Sequence, residues 1–194
     1  MKDKLRNIEH NVLSNDWATL TRVDYDYKFE NGDWKRLSRE SYDRGNGTSI
    51  LLYNTEKQTV ILTKQFRMPA YVNDKQDGMS IEVCAGAIDK NEPPEVCIIR
   101  EAEEEVGYKI AAATKVMECY MSPGAVTEKM YLFVAEYTDD MKIAKGGGLE
   151  SEDEEIEILE IPFTKAIAMI DSFEIIDAKT IMLLQYAQIN KLLE

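Results

Sequence analysis

One histidine stands in this 194-residue chain, His10, in a polar N-terminal stretch. A single imidazole argues against a histidine-built zinc site and against a Ser-His-Asp triad, so His10 reads as a surface residue. Cysteine is scarce and odd in number. Cys84, Cys97 and Cys119 each lie in an apolar segment, which reads as buried thiols of a reducing cytosol and not as a disulfide frame. A cytoplasmic location is expected from that. Basic residues are outnumbered, 23 Lys and Arg against 36 Asp and Glu, for a net charge of −13 and a pI near 4.6. No basic patch is visible, so no nucleic-acid partner is expected. No apolar run suggests a secretory signal at the start of the sequence, and none reaches transmembrane length, so no membrane partner is expected either. Internal repeats and low-complexity tracts are missing as well.

The length allows one elaborated domain, or one domain with an appendage. Residues 16–43 read as a β-hairpin. Val23, Tyr25, Tyr27 and Phe29 alternate with Arg22, Asp24, Asp26 and Lys28, and Asn31-Gly32 is a turn signal. Two strands alone are marginal, so this hairpin needs another surface, either the main domain or a second subunit. A turn at 43–47 marks a boundary, giving an extension over residues 1–43 and a main domain over 44–194. Further strands are expected near residues 49–53, 59–63, 81–85, 116–121, 131–137 and 156–161, and residues 68–78 read as a polar loop. Helices are expected over 162–173 and 177–193, the second with an apolar stripe of Ile181, Leu184, Tyr186, Ile189 and Leu192. Arg67 follows a strand, where it either forms a surface salt bridge or grips phosphate or a base. Gly146, Gly147 and Gly148 precede an acidic run through Glu155, which is either solvated charge or a source of a ligand or base.

The most informative stretch is 86–108. Pro93 and Pro94 suit a first helical turn, and Gly107 suits a left-handed C-terminal cap. Ile98, Ile99, Ala102 and Val106 recur at helical spacing toward a core. Glu101, Glu104 and Glu105 then share one side, where like charges cost about 0.2–0.5 kcal/mol per pair. Read plainly, this is a solvated acidic face. The alternative is a carboxylate set for a hard divalent cation such as Mg2+, which takes oxygen ligands.

The spacing resembles the Nudix box, G-x5-E-x7-R-E-U-x-E-E-x-G-U with U apolar. Gly86, Glu92, Arg100, Glu101, Glu104, Glu105 and Gly107 match its fixed positions, with Ala102 at the first U and Tyr108 at the last. Tyr42-Asp-Arg-Gly-Asn-Gly47, Leu51-Leu-Tyr-Asn54, Gln65-Phe-Arg67, Tyr120-Met-Ser-Pro-Gly124 and Gly146-Gly-Gly148 look like the GDP-mannose pyrophosphatase subfamily, which is related to ADP-ribose pyrophosphatases.

The resemblance implies an α/β fold: a Nudix α/β/α sandwich with a mixed sheet, carrying an N-terminal antiparallel β-hairpin extension. It implies a homodimer with exchanged N-terminal strands. It also implies Mg2+- or Mn2+-dependent hydrolysis of a nucleotide sugar, GDP-mannose giving GMP and mannose 1-phosphate. ADP-ribose hydrolysis is the alternative, and a nucleotide-sugar-sensing domain without catalysis is a third reading. Metal is implied on the Ala85 carbonyl, Glu101, Glu105 and Glu154, and catalysis on Glu104, Glu105 and Glu154. Substrate contacts are implied at Trp17, Ser38, Arg39, Glu40, Arg67, Ala85, Gly86, Ala87, Glu105, Glu128, Asp153, Glu154 and Lys179. Three positions depart from the subfamily pattern. Trp17 stands where tyrosine is usual, Ser38 replaces a basic residue, and Ala125 replaces a second glycine.

Overall fold

The computed structural model describes residues 2–74, 77–89, 91–148 and 155–194, in two compact units. The first comprises the chain up to Asn46 together with Cys119–Lys129. Its frame is an antiparallel sheet in the order β1 (Leu5–Asn15), β2 (Thr19–Lys28), β3 (Trp34–Asp43). β2 and β3 are the hairpin expected from alternation, in unbroken register from Thr19 opposite Asp43 to Lys28 opposite Trp34. The turn closes through Phe29 N donating to the Asp33 carbonyl at 2.8 Å, with Gly32 at φ +89°.

β1 corrects the sequence reading, which gave a two-stranded extension. All eleven of its residues are exposed, so no buried face marks it as a strand. It forms by backbone pairing with β2, and its register shifts between Arg6 and Glu9 and again between Val12 and Ser14. The 119–129 segment joins this unit through Tyr42 N to the Ala125 carbonyl (2.8 Å) and Thr127 N to the Tyr42 carbonyl (3.0 Å).

The second unit, residues 47–118 and 130–194, is built on a seven-stranded mixed sheet. Its strands are β4 (Gly47–Asn54), β5 (Thr59–Phe66), β6 (Met79–Glu82), β7 (Cys84–Ala87), β8 (Thr114–Tyr120), β9 (Lys129–Glu136) and β10 (Glu157–Pro162). The order is β10-β5-β4-β9-β8, with β6 on β5 and β7 on β4. β4 runs parallel to β9 and antiparallel to β5 and β7. Alternation sorts the apolar residues onto two faces. Ile50, Leu52, Ile61, Phe133 and Ala135 pack with Ile98, Ala102 and Val106 of helix α2 (Pro94–Val106). The alternate residues Leu51, Val60, Leu62, Leu132 and Val134 are also buried, so they face the other layer, where α4 (Ala178–Ile189) touches β4 and α3 (Phe163–Asp171) touches β10. This is the α/β/α sandwich expected.

Two elements differ from expectation. Residues 68–78, read as loop, contain the short helix α1 (Met68–Asp74), which buries none of its residues and so shows no apolar period. On α4 the buried face is Thr180, Leu183, Leu184 and Ala187, and Ile189 is 78% exposed. The i, i+3, i+4, i+7 set that packs thus includes a threonine and an alanine, whose small side chains suit close approach to the sheet.

Candidate active site

α2 is stopped as its sequence requires. Gly107 adopts φ +77°, its N–H bonds back to Glu103, and a Cβ there would lie 2.3 Å from the Ala144 carbonyl oxygen. At the other end Pro93 is extended and Pro94 opens the helix. The helix lays its acidic side against the segment 82–87. Ala85 N donates to Glu105 Oε2 at 3.1 Å, and Glu105 is only 3% exposed. Gly86 lies so close to Glu101 that a Cβ would stand 2.1 Å from its carboxyl carbon. The expected carboxylates Glu101 and Glu105 are therefore both brought to Ala85-Gly86. Glu104 is held by Arg100 Nη1 at 2.8 Å, which also reaches Glu101 at 2.9 Å, while Nη2 pairs with Glu92 at 3.2 Å. The Arg100 guanidinium holds the Glu92 carboxyl below its usual range. Ala87 is fixed from beneath, its carbonyl accepting from Cys97 Sγ at 3.3 Å. Burial pushes that thiol up to about 11, so it is a structural group and not a nucleophile.

The oxygen donors at this place suit a hard divalent cation, and the space over Gly86, which any Cβ would fill, lets a carboxylate approach the backbone. Among the described residues no three His, Cys, Asp or Glu side chains converge closely enough to hold a metal by themselves. Glu154 and Asp153, the further acids expected here, lie outside the described residues.

A cationic cluster adjoins the carboxylates. Arg67 grips Glu82 with two bonds, Nε to Oε1 at 2.9 Å and Nη2 to Oε2 at 3.0 Å. Lys179 Nζ reaches the same Oε2 at 2.7 Å and Asp177 Oδ1 at 2.7 Å. Burial would raise the Glu82 carboxyl, but the Arg67 bonds and the Lys179 charge outweigh it and bring it down to about 2. Arg67 is raised in turn by Glu82 and also by the charge of Glu105, against the effect of its own burial. Of the two readings open for Arg67, the salt bridge is present, but its partner is buried and not at the surface. Sequence reasoning missed Glu82. Its signal was a charged residue inside the apolar run Ile81-Glu-Val-Cys-Ala85, since a buried charge demands partners.

The remaining expected residues belong to the first unit. Arg39 and Glu40 line an open cavity of about 490 Å³ with Tyr25, Tyr120 and the 123–127 loop. Arg39 Nη1 bonds the Ser38 carbonyl at 2.7 Å, and the Ser38 hydroxyl helps hold Asp24 below the usual carboxylate range. Glu128 pairs with Arg44 at 3.3 Å, and the same guanidinium lies 5.2 Å from the ring centre of Trp17, which is 75% exposed.

Residues 4–42 match the family model described as the GDP-mannose pyrophosphatase NudK N-terminal domain, and residues 43–184 match that of the NUDIX domain. A GDP-mannose pyrophosphatase of Salmonella typhimurium is 50% identical over 194 residues, and one of Yersinia enterocolitica is 52% identical over 194, each covering 100% of both chains. A crystal structure of an ADP compounds hydrolase aligns with a TM-score of 0.69 at 20% identity, covering 95% of this chain and 91% of that one, a likeness of fold. Nudix hydrolases generally use divalent metal ions, in keeping with the oxygen donors around Ala85 and Gly86. A box helix set against its glycine turn, in a chain that its relatives match from end to end, leaves one assignment: the chain belongs to the Nudix hydrolase family, in its GDP-mannose pyrophosphatase subfamily.

Proposed function

We propose that this protein hydrolyses the pyrophosphate bond of a nucleotide sugar with a divalent metal, converting GDP-mannose and water to GMP and mannose 1-phosphate. The observation that carries this is the pair of box carboxylates Glu101 and Glu105 folded against Ala85-Gly86, in a chain half identical throughout to GDP-mannose pyrophosphatases. Mg2+, or Mn2+ in its place, would be held by the Ala85 carbonyl, Glu101, Glu105 and Glu154. When bound, such an ion neutralises phosphate charge and lowers the pKa of its water. Phosphoryl transfer otherwise asks mainly for positioning. Arg100 sets the orientation of Glu104, which with Glu105 and Glu154 aligns the attacking water and receives its proton. Arg67 and Lys179 meet the phosphates, and Gly86 and Ala87 let the substrate approach the backbone. Trp17, Ser38, Arg39, Glu40, Glu128 and Asp153 contact the nucleotide and sugar.

The assembly we propose is a homodimer with exchanged N-terminal strands, working in a reducing cytosol. The support is β1, which presents Leu5, Ile8, Val12 and Leu13 exposed along an uncovered sheet edge, a surface that ordinarily demands a partner. No helix among the described residues is long and apolar enough to cross a membrane.

A panel of GDP-mannose, ADP-ribose and other nucleotide sugars, assayed with Mg2+ and again with chelator, tests the activity. GDP-mannose should give the highest kcat/KM, and chelator should abolish turnover. An ADP-ribose preference would reassign the substrate, and binding without turnover would make the domain a sensor. Glu105→Gln should lower turnover by at least about a hundredfold, the scale seen when a metal's support is lost, and near-normal turnover would remove Glu105 from the metal site.

A further inference from the structure

We propose that Glu82, a carboxylate outside the box, is a positioning residue that fixes Arg67 and Lys179 so that their charges meet the substrate's pyrophosphate. The inference rests on the nucleotide-sugar reading and adds to it the group that organises the cationic side of the site.

Glu82 is 3% exposed, and a buried carboxylate persists only when it is paired. Here both oxygens are engaged. The bidentate grip fixes the plane of the Arg67 guanidinium as well as its position, which a single bond could not do. The Arg67 side chain nevertheless remains 42% exposed, and Nη1 takes no part in the grip. Lys179 is shared between Glu82 and Asp177, so two cations and two anions balance. Asp177 is tied down in turn by Thr180, whose N–H and hydroxyl both bond Oδ2, while the Thr180 hydroxyl accepts from Val83 N at 2.8 Å. The start of α4 is thereby fastened to the strand segment that carries Glu82. Three residues further along, Ala85 N meets Glu105. One short segment therefore holds the cations at one end and the box carboxylates at the other. Side chains fixed before substrate arrives need not be ordered on binding, which favours affinity.

The test is steady-state kinetics with GDP-mannose on Glu82→Gln. The amide keeps the size but loses the charge and one acceptor, so Arg67 and Lys179 lose their anchor. KM should rise about tenfold or more, the size of a charged hydrogen bond's contribution, with kcat within about threefold of wild type, because ground-state and transition-state contacts weaken together. In a chain already carrying Arg67→Met and Lys179→Met, Glu82→Gln should leave KM where the double variant put it, since its effect passes through those two groups. A purely structural role would lower the melting temperature and leave the KM of folded enzyme unchanged, which would overturn the proposal. So would a fall in kcat alone, or a further rise in KM in the double variant. If Glu82→Gln does not accumulate as folded protein, Glu82→Asp is read instead. It keeps the charge but withdraws it by one methylene, so a higher KM at steady kcat supports the assignment and an unchanged KM overturns it. Failure of the nucleotide-sugar reading is distinct, because it shows in the wild type itself, which would then turn over no nucleotide sugar of the panel.

Discussion

Gly86 shows how a single missing methyl sets the chemistry of this site. Its φ is not left-handed, so what matters is space: a Cβ would lie 2.1 Å from Cδ and 2.2 Å from Oε1 of Glu101. Those atoms are the end of a flexible side chain, so Gly86→Ala should fold while pushing Glu101 aside. The Mg2+ concentration for half-maximal activity should rise by about ten- to hundredfold, the usual effect of disturbing a ligand's setting, with little change in melting temperature. A metal titration of the variant checks this. Glu82 gives a second expectation at this scale. Its carboxyl is brought from 4.5 to about 2 in the folded protein, amid Arg67, Lys179 and Asp177. A depressed carboxyl contributes stability above its unfolded pKa and loses it as pH falls toward the folded one. Between pH 4.5 and about 2 the wild type should therefore lose about 3 kcal/mol more stability than Glu82→Gln. Urea midpoints at stepped pH would show it, and parallel curves would refute the pairing.

At the scale of elements, α2 was legible before any coordinates, because its caps, its apolar period and its proline start all agree. The structure adds that Gly107 is required twice, once by φ +77° and once by the Ala144 carbonyl beside it. Gly107→Ala should cost at least about 2 kcal/mol, from left-handed strain and the displaced loop together. The readout is a lower urea midpoint at unchanged slope. β1 and α1 were not legible for a common reason. Each leaves its side chains out of any core, so neither carries the periodicity by which burial writes itself into sequence. α4 is legible from its apolar stripe, of which Leu184 is fully buried and Ile189 exposed, while Thr180, Leu183 and Ala187 complete the buried face. Its apolar residues exceed what packs, and Thr180 is buried because its hydroxyl has bonds to Asp177 and Val83.

For the whole molecule, the expectation concerns strand exchange. Arg39 lies in the first unit and Glu105 in the second. If the N-terminal strands cross to a second copy, an Arg39→Ala chain paired with a Glu105→Gln chain rebuilds one intact site. The purified mixed dimer should then show about half the wild-type activity, counting independent sites, while each parent is crippled. A mixed dimer no better than its parents would place Arg39 in its own chain's site. A monomer at micromolar concentration would dispose of the exchange altogether.

The sequence by itself determined the box, the helix that bears it, both of that helix's ends, the alternating hairpin and the short apolar strands of the sandwich. Each of these depends on residues near one another in the chain, where spacing and side-chain type act directly. Tertiary structure decided which charges matter and how they are held. Glu82 meets Arg67 across 15 positions and Lys179 across 97, and Glu105 meets Ala85 N across 20. No local pattern announces such pairs, because a buried charge is tolerated only where the fold delivers its partner, and that delivery is a property of the packed layers.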